Sequence, residues 1–138
     1  MENKTFAIIK PDAIKNNNTG KIYNHIIESG FNILGAKLIT MSKHQAEHFY
    51  LIHKDRPFYN ELTNFMSSGS CMVLTLKKEN AVKEWRDTIG ATDPADAVEG
   101  SIRNLYGTDL GQNAVHGSDT DDNAKKEIAF FFTEYELI

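Results

Sequence analysis

Thr5-Phe6-Ala7-Ile8-Ile9 is the stretch of this sequence that decides the fold. The run is almost continuously apolar, carries β-branched residues and is short, which is typical of a strand buried on both faces. Lys10-Pro11-Asp12 follows directly, and the proline ends the strand and restricts the lysine before it. The sequence therefore predicts a central strand that places the charge of Lys10 at a cleft, although a solvated strand end explains this lysine equally well.

The remaining elements follow from apolar spacing and turn residues on either side of this strand. Ser42 is predicted to cap a helix, Gly35 is predicted to mark a β-bulge, and residues 14–19 are predicted to form a loop. The order of elements is βαββαβ with added helices, which predicts an α/β protein of the α+β kind, ferredoxin-like, with an antiparallel sheet. Predicted strands cover residues 5–9, 31–41, 71–76 and a short segment around His116; predicted helices cover residues 20–29, 43–53, 59–66, 79–88 and 121–132; a long loop, residues 90–111, precedes the last strand.

Composition places the chain among ordinary globular domains. Its 138 residues suit one domain, residues 1–138, with 41% apolar and 25% charged residues. The net charge of −4 argues against a general nucleic-acid binder. The first residues lack a signal-peptide core, no apolar stretch approaches the roughly 18 residues of a membrane span, and the single cysteine, Cys71, lies in an apolar run. We therefore expect a cytoplasmic protein without membrane or specific nucleic-acid partners.

The segment Asn113-Ala114-Val115-His116-Gly117-Ser118-Asp119 holds the strongest candidate for chemistry. His116 stands in a short apolar run and is followed by Gly, Ser and Asp, which is how a strand end presents a ring nitrogen to a cleft. Imidazole is a good nucleophile near neutral pH because much of it is unprotonated there. For a lone histidine, a packed core or surface residue is the commoner explanation, so the interpretation depends on the other residues of the site.

Several cations lie where an element ends or meets a loop: Lys10, His53, Arg86 and Arg103. Guanidinium groups match phosphate oxygens, so together these residues could clamp a triphosphate. A glycine-rich phosphate loop is absent, because Gly20-Lys21 is followed by Ile22 and lacks the upstream glycine. Phe58 could offer a ring face for base stacking, a contact that tolerates any base, although a core phenylalanine is the commoner explanation.

The sequence contains two further groups of titratable residues in patterns that could carry chemistry. His44 and His48 are four residues apart and could chelate a metal in principle, but no third ligand is evident nearby, which disfavours a metal site. Glu127 lies on the apolar stripe of the last predicted helix, three residues after Ala124 and four before Phe131. A carboxylate that faces inward requires a partner.

These features together resemble the nucleoside diphosphate kinase family. The similarity extends from about Thr5 to Phe132, with the motifs in the family's order, and six separated motifs are far more specific than any one of them. The segments that carry it are Ile9-Lys10-Pro11-Asp12, Phe49-Tyr50, His53-Lys54-Asp55-Arg56-Pro57-Phe58, Gly90-Ala91-Thr92-Asp93-Pro94-Ala95, Gly100-Ser101-Ile102-Arg103 and Asn113-Ala114-Val115-His116-Gly117-Ser118-Asp119.

The resemblance implies an enzyme that moves the γ-phosphate of a nucleoside triphosphate, typically ATP, to a nucleoside diphosphate by a ping-pong mechanism. It implies a phosphohistidine on His116, oriented by Glu127 with Ser118 close by, and broad tolerance of base and sugar, which would maintain NTP and dNTP pools. Mg²⁺ is the implied cofactor, held mainly by the nucleotide phosphates rather than by side chains. The residues that match the family's remaining catalytic and nucleotide-binding positions are Lys10, Tyr50, His53, Phe58, Leu62, Arg86, Thr92, Arg103, Leu110 and Asn113, with Phe58 and Leu110 as the pair that sandwiches the base.

The resemblance also implies a homo-oligomer, either a hexamer or a tetramer, and the sequence leaves this choice open. Departures from the family's usual pattern occur at Ser70, Ser101 and Gln112, none of them in the implied catalytic set. Two alternatives remain at this stage. One is a ferredoxin-like module that binds nucleotide or RNA without catalysis, and the other is a relay protein that accepts phosphate on His116 from another protein.

Overall fold

The computed structural model describes residues 3–138; Met1 and Glu2, which belong to the predicted domain, lie outside the described residues. Within residues 3–138 the chain forms four strands, seven helices and three 3₁₀ turns. The strands are β1 (Lys4–Ile9), β2 (Asn32–Thr40), β3 (Ser70–Lys77) and β4 (Val115–Gly117). The helices are α1 (Pro11–Lys15), α2 (Thr19–Glu28), α3 (Lys43–Phe49), α4 (Tyr59–Met66), α5 (Ala81–Ile89), α6 (Ile102–Tyr106) and α7 (Asp121–Phe131), and the 3₁₀ turns are Leu51–His53, Pro94–Asp96 and Glu134–Glu136.

The strands form one antiparallel sheet in the order β2-β3-β1-β4, so β1 is an interior strand, as its sequence predicts. Residues 6–9 of this strand are fully buried because both faces of the sheet are covered. Ala7 and Ile9 pack into one apolar cluster, while Phe6 and Ile8 pack into a second on the opposite face. This is the ferredoxin-like α+β arrangement, and the predicted fold class is confirmed.

Two local predictions are confirmed around β2. The register of its pairing with β3 shifts between Ile33 and Gly35, where the bulge was expected. Ser42 caps α3, because its side chain accepts a hydrogen bond from the backbone N–H of Gln45, and the Gln45 side chain accepts one from the N–H of Ser42.

Cys71 is buried as a free thiol in β3, and burial raises its pKa to about 11, which keeps it protonated and unreactive.

Three regions of the chain differ from the sequence-based expectation. The loop expected at residues 14–19 is shorter, because α1 begins at Pro11 and continues to Lys15. The helix expected over residues 43–53 ends at Phe49 and is followed by a separate 3₁₀ turn. The long loop, residues 90–111, contains a 3₁₀ turn and α6, which Ser101 caps by accepting the N–H of Asn104.

None of the helices in the described part of the chain combines the length and apolar character that a membrane crossing requires.

Candidate active site

The centre of the site is a hydrogen-bonded group formed by His116, Ser118 and Glu127. Strand β4 pairs His116 with Ile8 of β1, and α7 brings Glu127 against the ring. The Nε2 atom of His116 lies 2.8 Å from Oε1 of Glu127, and the hydroxyl of Ser118 donates to the same oxygen at 2.7 Å. A carboxylate only accepts hydrogen bonds, so Nε2 carries the proton and Nδ1 of a neutral ring keeps a free lone pair. His116 is therefore the partner that an inward-facing Glu127 requires.

Aromatic side chains restrict the movement of the His116 ring. Phe6, Phe49 and Tyr50 meet it edge-on, with centroid distances of 6.0, 5.5 and 6.2 Å. The indole N–H of Trp85 donates to the carbonyl of His116 at 3.1 Å and holds the strand end from the opposite side of the sheet. These contacts leave the His116 side chain 17% exposed, so the ring is not sealed from solvent.

Tyr50 contributes a buried phenol beside this group. Its hydroxyl has no hydrogen-bond partner within residues 3–138, although the side chain is only 6% exposed. Burial raises its pKa far above the usual range, and the charge of Glu127 raises it further, so the group stays protonated. Tyr50 therefore offers an unused O–H donor near His116.

Lys10 lies at the end of β1, where it is almost fully buried. Its ammonium donates to Oδ1 of Asn113 at 2.8 Å, and the amide of Asn113 donates to the carbonyl of Thr92 at 3.0 Å. Burial, the largest cause, and the charge of Arg103 lower the pKa of Lys10 to about 8 against the opposing effect of Asp12. Lys10 is only 8% exposed, which excludes the alternative that it is simply a solvated residue at the end of the strand.

The lowered pKa of Lys10 predicts a loss of activity in alkaline solution. The ammonium loses its proton as the pH rises through about 8, so a reaction that needs this charge should slow by up to about tenfold per pH unit above that point. The measurement is kcat/KM, between pH 6 and 10, for the phosphate transfer from ATP that the sequence resemblance implies, because this ratio reports the groups of the unliganded protein. A profile that stays flat to pH 9.5, in protein shown by circular dichroism to remain folded, would contradict the requirement for a charged Lys10.

Arg103 and Arg86 form a second cationic group. The guanidinium of Arg103 donates to the carbonyls of Gly90 at 3.1 Å and Val115 at 2.9 Å, and its buried Nε has no partner among the described residues. Burial and, to a smaller extent, the charge of Arg86 together lower the pKa of Arg103 to about 10, so the group is still cationic at neutral pH. Both arginines line a recess of about 500 Å³.

A cleft of about 590 Å³ lies beside Lys10, and the residues predicted to contact the base line it. Phe58 and Leu110 remain 47% and 61% exposed, so both present apolar surface to this cleft. His53 does not line the cleft, but its ring lies 5.6 Å from that of Phe58. The cleft is lined by Lys10, Phe58, Glu61, Leu62, Phe65, Thr92, Asp109, Leu110, Gly111 and Gln112.

The structure adds several residues to which sequence reasoning gave no role. Phe65, Glu61 and Asp109 line the cleft. The helical spacing of Phe58, Leu62 and Phe65 is a signal that could have pointed to Phe65, whereas Glu61 and Asp109 had none. Asp12 is buried beneath the site, where its carboxylate accepts the backbone N–H of Ala114. Its position two residues after Lys10 was visible in the sequence, but the distant partner was not.

A small α+β domain with a carboxylate-bound histidine beside buried cations and an apolar cleft has the features of a group-transfer enzyme that handles anionic substrates. The family model described as nucleoside diphosphate kinase matches residues 3–137. The chain therefore belongs to the nucleoside diphosphate kinase family, whose members transfer phosphate between nucleotides, and the resemblance seen in the sequence is confirmed. The alternative of a binding module without catalysis is not favoured.

Individual relatives agree with this assignment over nearly the whole chain. The nucleoside diphosphate kinase of Wolbachia sp. subsp. Drosophila simulans (strain wRi) is 54% identical over 135 residues, which is 98% of this chain and 97% of the relative. The crystal structure of the Aquifex aeolicus enzyme is similar with a TM-score of 0.97 and 40% identity, and 99% of each chain is covered. The Halobacterium salinarum enzyme, solved in complex with CDP, gives a TM-score of 0.94 and 35% identity over 100% of this chain and 92% of that one.

Proposed function

We propose that His116 accepts the γ-phosphate of a nucleoside triphosphate and then passes it to a nucleoside diphosphate. The observation that carries this proposal is the pairing of Nε2 with Glu127, because it leaves Nδ1 as the free nucleophile. The carboxylate fixes the tautomer and stabilises the positive charge that develops on the ring when Nδ1 reacts. Ser118 holds that carboxylate in place through its hydroxyl.

The reaction has two balanced steps. In the first, the lone pair on Nδ1 forms a bond to the γ-phosphorus while the bond to the bridging oxygen breaks, and the nucleoside diphosphate leaves with that electron pair. In the second, a terminal β-phosphate oxygen of another diphosphate attacks the phosphohistidine, and the P–N bond breaks to restore His116. Glu127 keeps the proton of Nε2 in place through both steps, so no external acid or base is required.

The remaining polar residues stabilise charge and align the substrate. Lys10 and Arg103 are buried cations whose positions are fixed by hydrogen bonds before substrate arrives, so little reorganisation is needed as charge develops on the phosphate. Arg86 extends this positive field to the exposed recess, and the unpaired phenol of Tyr50 can donate to an oxygen beside His116. Thr92 and Asn113 belong to the hydrogen-bonded chain that ends at Lys10, where phosphate and sugar oxygens would bind.

The apolar side chains of the cleft account for a broad choice of base. Phe58, Leu62 and Leu110 would sandwich a base by stacking and apolar contact, which does not read the edge of the base and therefore tolerates purines and pyrimidines. His53 supports the ring of Phe58 and adds a titratable group at this end of the site. Tolerance of both ribose and deoxyribose is part of the same proposal.

Mg²⁺ is the proposed cofactor, bound to the phosphates of the nucleotide. Within residues 3–138, no three His, Cys, Asp or Glu side chains come together as a metal site. Mg²⁺ does not need such a group, because it keeps several waters and is commonly held by substrate phosphates. Lys10 and Arg103 would hold the phosphate oxygens of the bound nucleotide, and Mg²⁺ would supply further charge neutralisation there.

We also propose a single domain over residues 1–138, a cytoplasmic location and assembly as a hexamer or tetramer. Two observations support assembly: β2 lies at the edge of the sheet, and Leu38 on this strand is 62% exposed. Sedimentation analysis distinguishes the two assemblies.

A pulse-chase experiment tests the proposed function. Wild-type protein is incubated with Mg²⁺ and γ-labelled ATP, freed of nucleotide, and divided among unlabelled diphosphates of several bases in ribo and deoxy forms. We expect an acid-labile, alkali-stable label on the protein that moves to every diphosphate. Protein that binds ATP but takes no label would overturn the phosphohistidine mechanism, and label that moves to one base alone would overturn the broad specificity.

A further inference from the structure

A strained turn lies two residues before His116. Ala114 has a φ of 72°, a conformation that residues other than glycine rarely adopt, and it is fully buried. The backbone N–H of Val115 donates to the carbonyl of Asn113 at 2.9 Å, which closes a γ-turn around Ala114. A γ-turn with positive φ is rare and strained, so the surrounding structure must stabilise it.

Lys10 and Asp12, near the N-terminus of the chain, stabilise this turn through two hydrogen bonds. Oδ2 of Asp12 accepts the N–H of Ala114 at 3.0 Å, and the backbone N–H of Lys10 donates to the carbonyl of Ala114 at 2.8 Å. Both polar backbone atoms of the strained residue are therefore held by residues that lie about a hundred positions earlier in the chain. We call these two hydrogen bonds the Ala114 clamp.

Asp12 is an unusual residue for this place because a buried carboxylate is costly. Its side chain is only 5% exposed, and Oδ1 has no hydrogen-bond partner within the described residues. Burial raises the pKa of Asp12, whereas the N–H of Ala114 and the charge of Lys10 lower it. Burial is the largest of these effects, so the pKa of Asp12 is raised overall, and the hydrogen bond from Ala114 is the contact that offsets the cost of burying this side chain.

The turn connects two residues of the proposed active site. Asn113 precedes Ala114 and accepts a hydrogen bond from the ammonium of Lys10. His116 lies on β4, two residues after Ala114. A change in the conformation of Ala114 would therefore move the Lys10 partner and the nucleophile relative to each other. We propose that Asp12 is a positioning residue, which holds the γ-turn at Ala114 so that His116 and Lys10 keep the geometry required for phosphate transfer.

The test compares Asp12→Ala and Asp12→Asn in single-turnover labelling of His116 at saturating ATP, at pH 6.5, where Lys10 is protonated. Because misplacement of a reacting atom is costly, we expect Asp12→Ala to lower the labelling rate by about 10- to 100-fold. The KM for ATP should change less than about threefold, since the apolar cleft is intact. Asp12→Asn keeps an oxygen that can accept the N–H of Ala114 and should retain the rate within about fivefold. Asp122→Ala, at an exposed position on α7, is the matched control and should behave as wild type.

The decisive comparison repeats Asp12→Ala in an Ala114→Gly background. Glycine adopts positive φ without the steric penalty, so the turn should no longer depend on the clamp. In this background we expect Asp12→Ala to lower the labelling rate of His116 by less than about threefold relative to Ala114→Gly alone. An equal effect in both backgrounds, or a wild-type labelling rate for Asp12→Ala, would overturn the proposal.

Folding and function are kept apart in this design. Rates are expressed per folded molecule, and failure of both Asp12 variants to fold would assign Asp12 to stability alone and overturn a positioning role. The proposal rests on His116 as the phosphate acceptor. If the wild-type protein takes no label, that function is contradicted. If the wild-type protein is labelled and Asp12→Ala is labelled at the same rate, only the positioning role of Asp12 is contradicted.

Discussion

Replacement of His116 by glutamine is expected to abolish phosphate transfer. Glutamine is of similar size and still presents an N–H to Glu127, so the fold should persist, but it has no nitrogen lone pair that can attack phosphorus. Loss of a nucleophile typically lowers turnover by at least about 10⁴-fold because the other catalytic groups then have no acceptor to act on. The measurement is steady-state transfer from ATP to a diphosphate, together with the amount of label that the protein retains.

His44→Gln is the matched control for this change. His44 is an exposed histidine on α3 whose ring contacts His48, and it has no place in the proposed mechanism. It should leave both transfer and label unchanged. Retention of more than about 1% of activity by His116→Gln, or a stable label on that variant, would place the acceptor elsewhere in the chain.

The parts of the fold that could be predicted are those that local sequence determines. The β1 strand was visible because a short, almost continuously apolar run that is followed by a lysine and a proline has few other solutions. Glu127 was expected to face inward because it shares the apolar stripe of α7, and the structure shows the partner that this position needs. Helices α1 and α6 were missed because five residues are too few to show an apolar period.

The parts that could not be predicted depend on contacts between distant residues. Lys10 and Asn113 are 103 positions apart, and no local pattern indicates that the ammonium of Lys10 donates a hydrogen bond to the side-chain oxygen of Asn113. Nor does the sequence show that Arg103 donates to two backbone carbonyls, since a carbonyl is present at every residue. The strain at Ala114 is invisible for the same reason: alanine ordinarily favours a helix, and only the tertiary clamp imposes a positive φ.

Replacement of Lys10 by methionine is expected to lower kcat/KM for ATP by about 30- to 1,000-fold, equivalent to about 2–4 kcal/mol of transition-state stabilisation. Methionine has a similar length and fits an almost fully buried position, so the change removes the charge with little loss of packing. We expect little change in stability, because the variant relieves the cost of burying the ammonium but also leaves the buried Oδ1 of Asn113 without its donor. The measurements are kcat/KM for ATP and the thermal unfolding midpoint.

The pH profile of this variant separates the charge of Lys10 from its other contacts. If the decline of wild-type activity above about pH 8 arises from loss of the Lys10 proton, Lys10→Met should lose that decline and show a flat profile at its lower rate. Lys15→Met, at an exposed position on α1, removes the same charge nearby and should retain both the wild-type rate and the wild-type profile. A Lys10→Met enzyme that keeps the alkaline decline would assign it to another group, and one within about threefold of wild type would show that this buried cation does not stabilise the transition state.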